Sequence, residues 1–191
     1  MPETLTIKLD PLTLSDDQFY QLCLTNRELR FERNSQGDLV IMSPTGGETS
    51  NRNVEISYQL QSWSRRTQIG VAFDSSGGFK LPNGADRSPD AAWLKREKWE
   101  SLTLEQQRKF VPLCPDFVIE LRSPSDDLKP LREKMQEYQE NGAQLGWLID
   151  RQTRTVEIYR PGQAVEVLNN PESLGGETVL LDFVLDLAPI W

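Results

Sequence analysis

A mixed β-sheet with a helix on each face, an α/β arrangement, is the fold the sequence predicts. Two segments carry apolar residues at helical spacing, and two short runs are almost wholly apolar. Glycine and proline punctuate the strand-like stretches between them. The 191 residues suit one domain spanning 1–191.

Ser15-Asp16-Asp17 reads as a helix N-cap with acid in the first turn, and Phe19, Leu22 and Cys23 recur at helical spacing. A short helix is therefore expected over 15–26. Runs 29–32 and 39–42 flank Ser35-Gln36-Gly37-Asp38, which predicts a hairpin. Pro44-Thr45-Gly46-Gly47 breaks the chain, and a longer helix is expected over 49–65 from the Ile56, Leu60, Trp63 stripe. Short strands are expected at 69–73, 78–81 and 91–94. The charged stretch 95–108 favours surface helix. The run 117–121 is apolar enough for a central strand. Ser123 to Asp127 should cap a second long helix ending at Asn141-Gly142. Runs 145–149, 155–159 and 164–168 read as strands, and 179–187 as a closing strand or extended tail.

Five Trp and seven Phe can anchor a core even though 26% of residues are charged. The stretch from Met1 to Asp10 lacks a basic segment followed by an apolar one, and no apolar run approaches the roughly 18 residues that cross a bilayer. A soluble, cytoplasmic protein with no membrane contact is expected. Cys23 and Cys114 form no CxxC pair and read as two small buried side chains. The chain has no histidine, which excludes Ser-His-Asp and Cys-His nucleophile systems and most zinc sites. Chemistry must then rest on Asp, Glu, Lys, Arg, Tyr or Ser, and hard oxygen ligands favour Mg²⁺, Mn²⁺ or Ca²⁺. The net charge of −8 opposes simple capture of a phosphate backbone, although a carboxylate metal site accounts for part of it.

Asp90 follows Ser88-Pro89. A proline at a strand entrance leaves no N–H to pair, so the Asp90 carboxylate can sit at a sheet edge beside Ala91-Ala92-Trp93. Strand alternation gives Val118, Glu120 and Arg122 one face. Glu120 is a carboxylate inside an apolar strand, so it needs a cation, a hydrogen-bond set or a metal. The local alternatives are a salt bridge to Arg122 or a more exposed strand edge. In the second long helix, Leu128, Leu131, Met135 and Tyr138 form a stripe with Lys134 at its border. That lysine can extend its ammonium toward the strand ends or snorkel to water. Glu55 flanks the stripe of the first long helix and reads either as an approach to the same ends or as a solvated acid.

The run Arg87-Ser88-Pro89-Asp90-Ala91-Ala92-Trp93 and the run Pro115-Asp116-Phe117-Val118-Ile119-Glu120-Leu121-Arg122-Ser123-Pro124-Ser125-Asp126 closely resemble the Uma2 (DUF820) family. Lys134, Tyr138, Gly142 and Leu145-Gly146-Trp147-Leu148-Ile149-Asp150 continue the resemblance, which runs from the first hairpin to the closing tail. It implies a restriction-endonuclease-like fold of the PD-(D/E)xK superfamily, with an αβββαβ core and carboxylates plus a lysine around Mg²⁺ or Mn²⁺. Asp90 then corresponds to the first motif's aspartate and Glu120 to the acid of (D/E)xK, with the Leu121 carbonyl as a further metal ligand. The motif's lysine position holds Arg122, and the family's lysine on the following helix points to Lys134. Glu55 stands where the superfamily has a first-helix acid.

Arginine stays charged at neutral pH and cannot serve as a base, so Arg122 is expected to steady a phosphate and Lys134 to position or help deprotonate water. The resemblance implies metal-dependent endonuclease activity on nucleic acid, DNA foremost. Pairing of two copies is expected as well, with Trp93, Trp99 and Trp191 as interface candidates. The alternatives are a nuclease fold kept as a non-catalytic interaction module and a metal-free acid–base hydrolase.

Overall fold

A computed structural model describes residues 4–42 and 44–191; Met1–Glu3, the first residues of the stretch read for a secretory signal, and Ser43 lie outside the described residues. The chain begins β1 (Thr4–Ile7), α1 (Asp16–Thr25), β2 (Arg30–Arg33), β3 (Leu39–Met42), α2 (Gly47–Thr67) and β4 (Gly70–Asp74). It continues through β5 (Phe79–Lys80), β6 (Asp86–Arg87), β7 (Ala91–Lys95), α3 (Arg96–Glu100), α4 (Leu104–Arg108) and β8 (Phe117–Leu121). The last third holds α5 (Leu128–Glu140), β9 (Leu145–Asp150), β10 (Thr155–Tyr159), β11 (Glu166–Asn169), β12 (Ser173–Gly175) and β13 (Val184–Asp186).

The main sheet has the order β11-β10-β9-β8-β7-β4. Within this sheet, among the described residues, β8 and β9 alone pair in parallel, and α5 supplies the crossover that parallel neighbours need. Taken along the chain, α2, β4, β7, β8, α5 and β9 form the αβββαβ core of the expected mixed sheet. The segment expected as a strand at 78–81 is β5, and it belongs to a second sheet, β1-β3-β2-β6-β5. Asn34 shapes the hairpin of that sheet, its Oδ1 accepting from Gln36 N and Asp38 N at 3.0 and 2.8 Å. Gly37 supplies the left-handed φ of 89°.

Strand alternation divides the main core. Ile56, Leu60 and Trp63 of α2 pack on Ala91, Trp93, Phe117, Ile119 and Trp147. Met135 and Tyr138 of α5 pack on Ala92, Leu94, Val118 and Leu148 on the opposite face. Glu120 shares the face of Val118 and so points toward α5. Trp93 is 1% exposed, with its ring centroid 5.6 Å from that of Trp63, which removes it from the interface candidates. Trp99 and Trp191 are partly buried against the two core faces.

Several boundaries depart from expectation for local reasons. The stretch 95–108 splits into α3 and α4 because Thr103 and Gln106 form a capping box that restarts the helix. Helix α5 begins at Leu128, since Ser123 and Asp126 close their own turn: Asp126 N donates to Ser123 O at 3.1 Å and Ser123 N to Asp126 Oδ2 at 2.9 Å. Its end matches the sequence signal, with Gly142 at φ 111°. The closing segment is a short β12–β13 ladder rather than one strand, and it sends Leu180, Phe183, Leu185 and Leu187 into the α2-side core.

Cys114 is buried and Cys23 half-buried, and burial pushes their thiols up to about 12 and about 11. Among the described residues, no helix is long and apolar enough to cross a membrane.

Candidate active site

β7 and β8 run antiparallel with Ala91 opposite Ile119, and extending that register by one residue sets Asp90 across from Glu120. Both carboxylates therefore leave the sheet at the same end. Asp90 is oriented by two donors: Asn53 Nδ2 of α2 reaches Oδ1 at 2.8 Å, and the backbone N–H of Leu121 reaches Oδ2 at 2.9 Å. Burial still raises the Asp90 carboxyl above its ordinary value, against the pull of these donors and of Lys134.

Glu120 is 4% exposed. Its Oε1 lies 2.9 Å from Lys134 Nζ and accepts from the Tyr138 hydroxyl at 3.0 Å. Lys134 and Tyr138 are one helical turn apart on α5, so one face of the helix presents both. Among the described residues no hydrogen bond reaches Glu120 Oε2. Burial pushes Glu120 up to about 7; Lys134 opposes this, and the charges of Asp90 and Glu32 add to it.

Glu32, from β2, is a third carboxylate at the site. Its Oε1 accepts from Lys134 Nζ at 2.8 Å and from Ser88 N at 2.9 Å, and its Oε2 from Arg87 Nη1 at 3.1 Å. Burial opposes ionisation here too, but Lys134 and Arg87 outweigh it and hold Glu32 below the usual carboxylate range. One ammonium thus faces two acids. Glu32 is the better served of the two, and Glu120 bears the cost. Burial alone would lower the Lys134 pKa, yet Glu120 and Glu32 outweigh it and keep the ammonium protonated.

These groups line a cleft of about 480 Å³ between the two sheets, with Asp90, Glu120, Leu121 and Lys134 on one wall and Arg30 and Glu32 on the other. Two expected residues do not line it. Arg122 turns away at the strand end, where Nη1 pairs with Asp150 Oδ2 at 2.8 Å and Nε donates to the Asp126 carbonyl at 3.0 Å. Glu55 accepts from Gln59 Nε2 at 2.9 Å, and that amide also bonds the Asp186 carbonyl of β13 at 3.0 Å. The α2 residue that meets Asp90 is Asn53.

Two residues of the site were not read from the sequence, although each carried a signal. Asn53 lies on the Ile56, Leu60, Trp63 stripe at i−3, and a polar side chain on a buried stripe needs a partner. Glu32 sits between Phe31 and Arg33 in a hairpin strand, the same anomaly of a carboxylate in a half-apolar strand that singled out Glu120.

Among the described residues no group of three or more Asp, Glu, His or Cys is gathered into a metal cage. A hard cation of the Mg²⁺ type takes one or two carboxylates and completes its shell with water and substrate phosphate. Asp90 and Glu120 are oxygen donors at one strand end, and Glu120 Oε2 carries no protein hydrogen bond. The Leu121 carbonyl shares a strand edge with the N–H that meets Asp90. The donor set fits such an ion.

A six-stranded mixed sheet, wrapped as αβββαβ and ending in strand-borne acids, defines this as an α/β protein of the nuclease fold. The Uma2 family model, described as "Putative restriction endonuclease", matches residues 16–188, and the chain belongs to that family. It is similar in fold to the crystal structure of "a putative nuclease belonging to DUF820" from Anabaena variabilis ATCC 29413. The TM-score is 0.74 at 22% identity, covering 93% of this chain and 97% of that one. No curated protein matches the chain.

Proposed function

We propose that this protein is a divalent-metal-dependent endonuclease that hydrolyses phosphodiester bonds in DNA, acting as a cytoplasmic homodimer. The observation that carries the reading is the placement of Asp90 and Glu120 across one strand end with the Lys134 ammonium 2.9 Å from Glu120. In an abandoned site, Lys134 would point away, or Glu120 would be neutralised by Arg122 alone.

Asp90, Glu120 and the Leu121 carbonyl would hold Mg²⁺ or Mn²⁺. Such an ion, when bound, supplies Lewis-acid activation of water and offsets charge on the scissile phosphate. Asn53 and the Leu121 N–H fix the rotamer of Asp90, and Tyr138 fixes that of Glu120. Lys134, paired with Glu120 and Glu32, orients the attacking water and stabilises charge on the phosphate. Arg122 holds Asp150 and the turn after β8 rather than a phosphate.

The net charge of −8 favours a second reading, a nuclease fold retained as an interaction module. One experiment separates the two. Supercoiled plasmid and single-stranded oligonucleotides are incubated with wild type, Asp90→Ala and Glu120→Ala in Mg²⁺ or Mn²⁺. Cleavage by wild type alone, abolished by chelation, is the expected result. Equal cleavage by all three proteins, or none by any on either substrate, would overturn the nuclease reading.

A further inference from the structure

Glu32 comes from the hairpin sheet, which contributes neither Asp90 nor Glu120. It is nonetheless 3% exposed and carries three donors, among them the lysine of the site. Arg87, which grips Glu32 Oε2, donates through Nε to Glu137 Oε2 at 2.5 Å. Glu137 is three residues beyond Lys134 on α5, so a closed ring results: Glu32 to Lys134, along the helix to Glu137, then through Arg87 back to Glu32.

One buried acid held by three half-buried charged side chains is a costly way to join a hairpin to a helix, and an apolar contact would be cheaper. What the ring provides is position. Lys134 Nζ stands 2.8 Å from Glu32 Oε1 and 2.9 Å from Glu120 Oε1. Without Glu32 the ammonium would have Glu120 as its one ion-pair partner among the described residues and would compete with any cation drawn to that carboxylate.

We infer that Glu32 is a positioning residue of this site, tethering the Lys134 ammonium between two carboxylates so that Glu120 stays open to a divalent cation. The inference rests on the two-carboxylate metal reading above. It also makes the N-terminal hairpin a working part of the active centre. Glu32 acts through Lys134 rather than as a ligand, because both its oxygens are already engaged by cationic side chains.

Four proteins test this: wild type, Glu32→Gln, Lys134→Met and the double variant, with Glu32→Asp replacing Glu32→Gln in the same cycle should the amide not fold. In chelator, urea unfolding is expected to show coupling, the double variant losing less than the product of the single losses by about tenfold in the unfolding constant. In calorimetric titration with Mn²⁺, Glu32→Gln should bind about tenfold more weakly than wild type. The double variant should return to the affinity of Lys134→Met. Additive unfolding losses would overturn the tether. So would a double variant that binds Mn²⁺ as weakly as Glu32→Gln, since Glu32 would then act on the ion directly. Coupling in chelator with no Mn²⁺ uptake by wild type would sink the metal reading and leave the tether in place.

Discussion

The ammonium of Lys134 lies 2.9 Å from Glu120 Oε1, although the two belong to different elements, the helix α5 and the strand β8. The contact replaces one that a strand-borne lysine two residues after the acid would make. That position is Arg122, and its guanidinium is spent on Asp150. The arrangement keeps a cation beside the acid while moving its anchor from the strand to the helix. A cation arriving from α5 is also reachable from β2, which is how Glu32 comes to share it.

Lys134→Met should lower cleavage about 10²–10³-fold, the usual loss when a preorganised charge is removed from a reacting centre. Mn²⁺ affinity should be unchanged or tighter, because the competing ammonium is gone. Single-turnover cleavage beside a calorimetric titration checks both. Cleavage within twofold of wild type would remove Lys134 from the machinery.

Asp90→Asn is nearly isosteric and spares the chain the cost of burying a charge, so its melting temperature should not fall by more than a few degrees. Mn²⁺ binding should nevertheless be lost, since a neutral amide is a poor ligand for a hard dication. Titration calorimetry together with a thermal melt separates loss of the site from loss of the fold. A variant that melts like wild type and binds Mn²⁺ equally well would exclude Asp90 as a ligand.

The fold was legible where local pattern and tertiary role coincide. The Ile56, Leu60, Trp63 stripe, the apolar runs of β8 and β9, and the Asn141-Gly142 stop each specify an element and the face it buries. Sheet membership was not legible. β5 reads like any short strand, and only its pairing with β6, through Phe79–Arg87 and Lys80–Asp86, assigns it to the hairpin sheet. β1 was missed because its support is the non-local partner β3. In the site, Asp90, Glu120 and Lys134 stand in recognisable surroundings. Arg122 was misread because alternation was extended one residue past the strand, where the Ser123–Asp126 turn takes over. Asn53 and Glu32 become meaningful only when α2 and the hairpin close over the strand ends.

Arg122→Gln and Glu55→Gln should separate structure from chemistry. Arg122→Gln leaves Asp150, 3% exposed, with hydrogen bonds from Thr153 and Gln152 but no ion-pair partner among the described residues. It should cost about 2 kcal/mol of stability with the Mn²⁺ affinity intact. Glu55→Gln should leave stability and cleavage within about twofold of wild type, since its partner Gln59 lies on the same helix outside the cleft. A hundredfold loss of cleavage in folded Glu55→Gln would return that residue to the site.

Glu120→Gln should change how stability depends on pH. In the folded chain Glu120 is raised from the ordinary 4.5 to about 7, chiefly by burial. A carboxyl raised in this way binds its proton more tightly folded than unfolded, so it opposes folding progressively as pH climbs from its unfolded to its folded value. The glutamine variant carries no such charge. Whatever constant offset the amide brings, the stability of the variant relative to wild type should grow by about 3 kcal/mol between pH 4.5 and 7 and level off above. Lys134 does not enter this window: its pKa is raised, so its contribution is complete below the ordinary lysine value of 10.5 and fades only on the alkaline side. The measurement is urea unfolding of both proteins in chelating buffer from pH 4.5 to 8, because a bound cation would stabilise the carboxylate and mask the slope. A flat difference across that range would mean that Glu120 ionises at little cost, and that the acid at the strand end has no unmet charge for a cation to relieve.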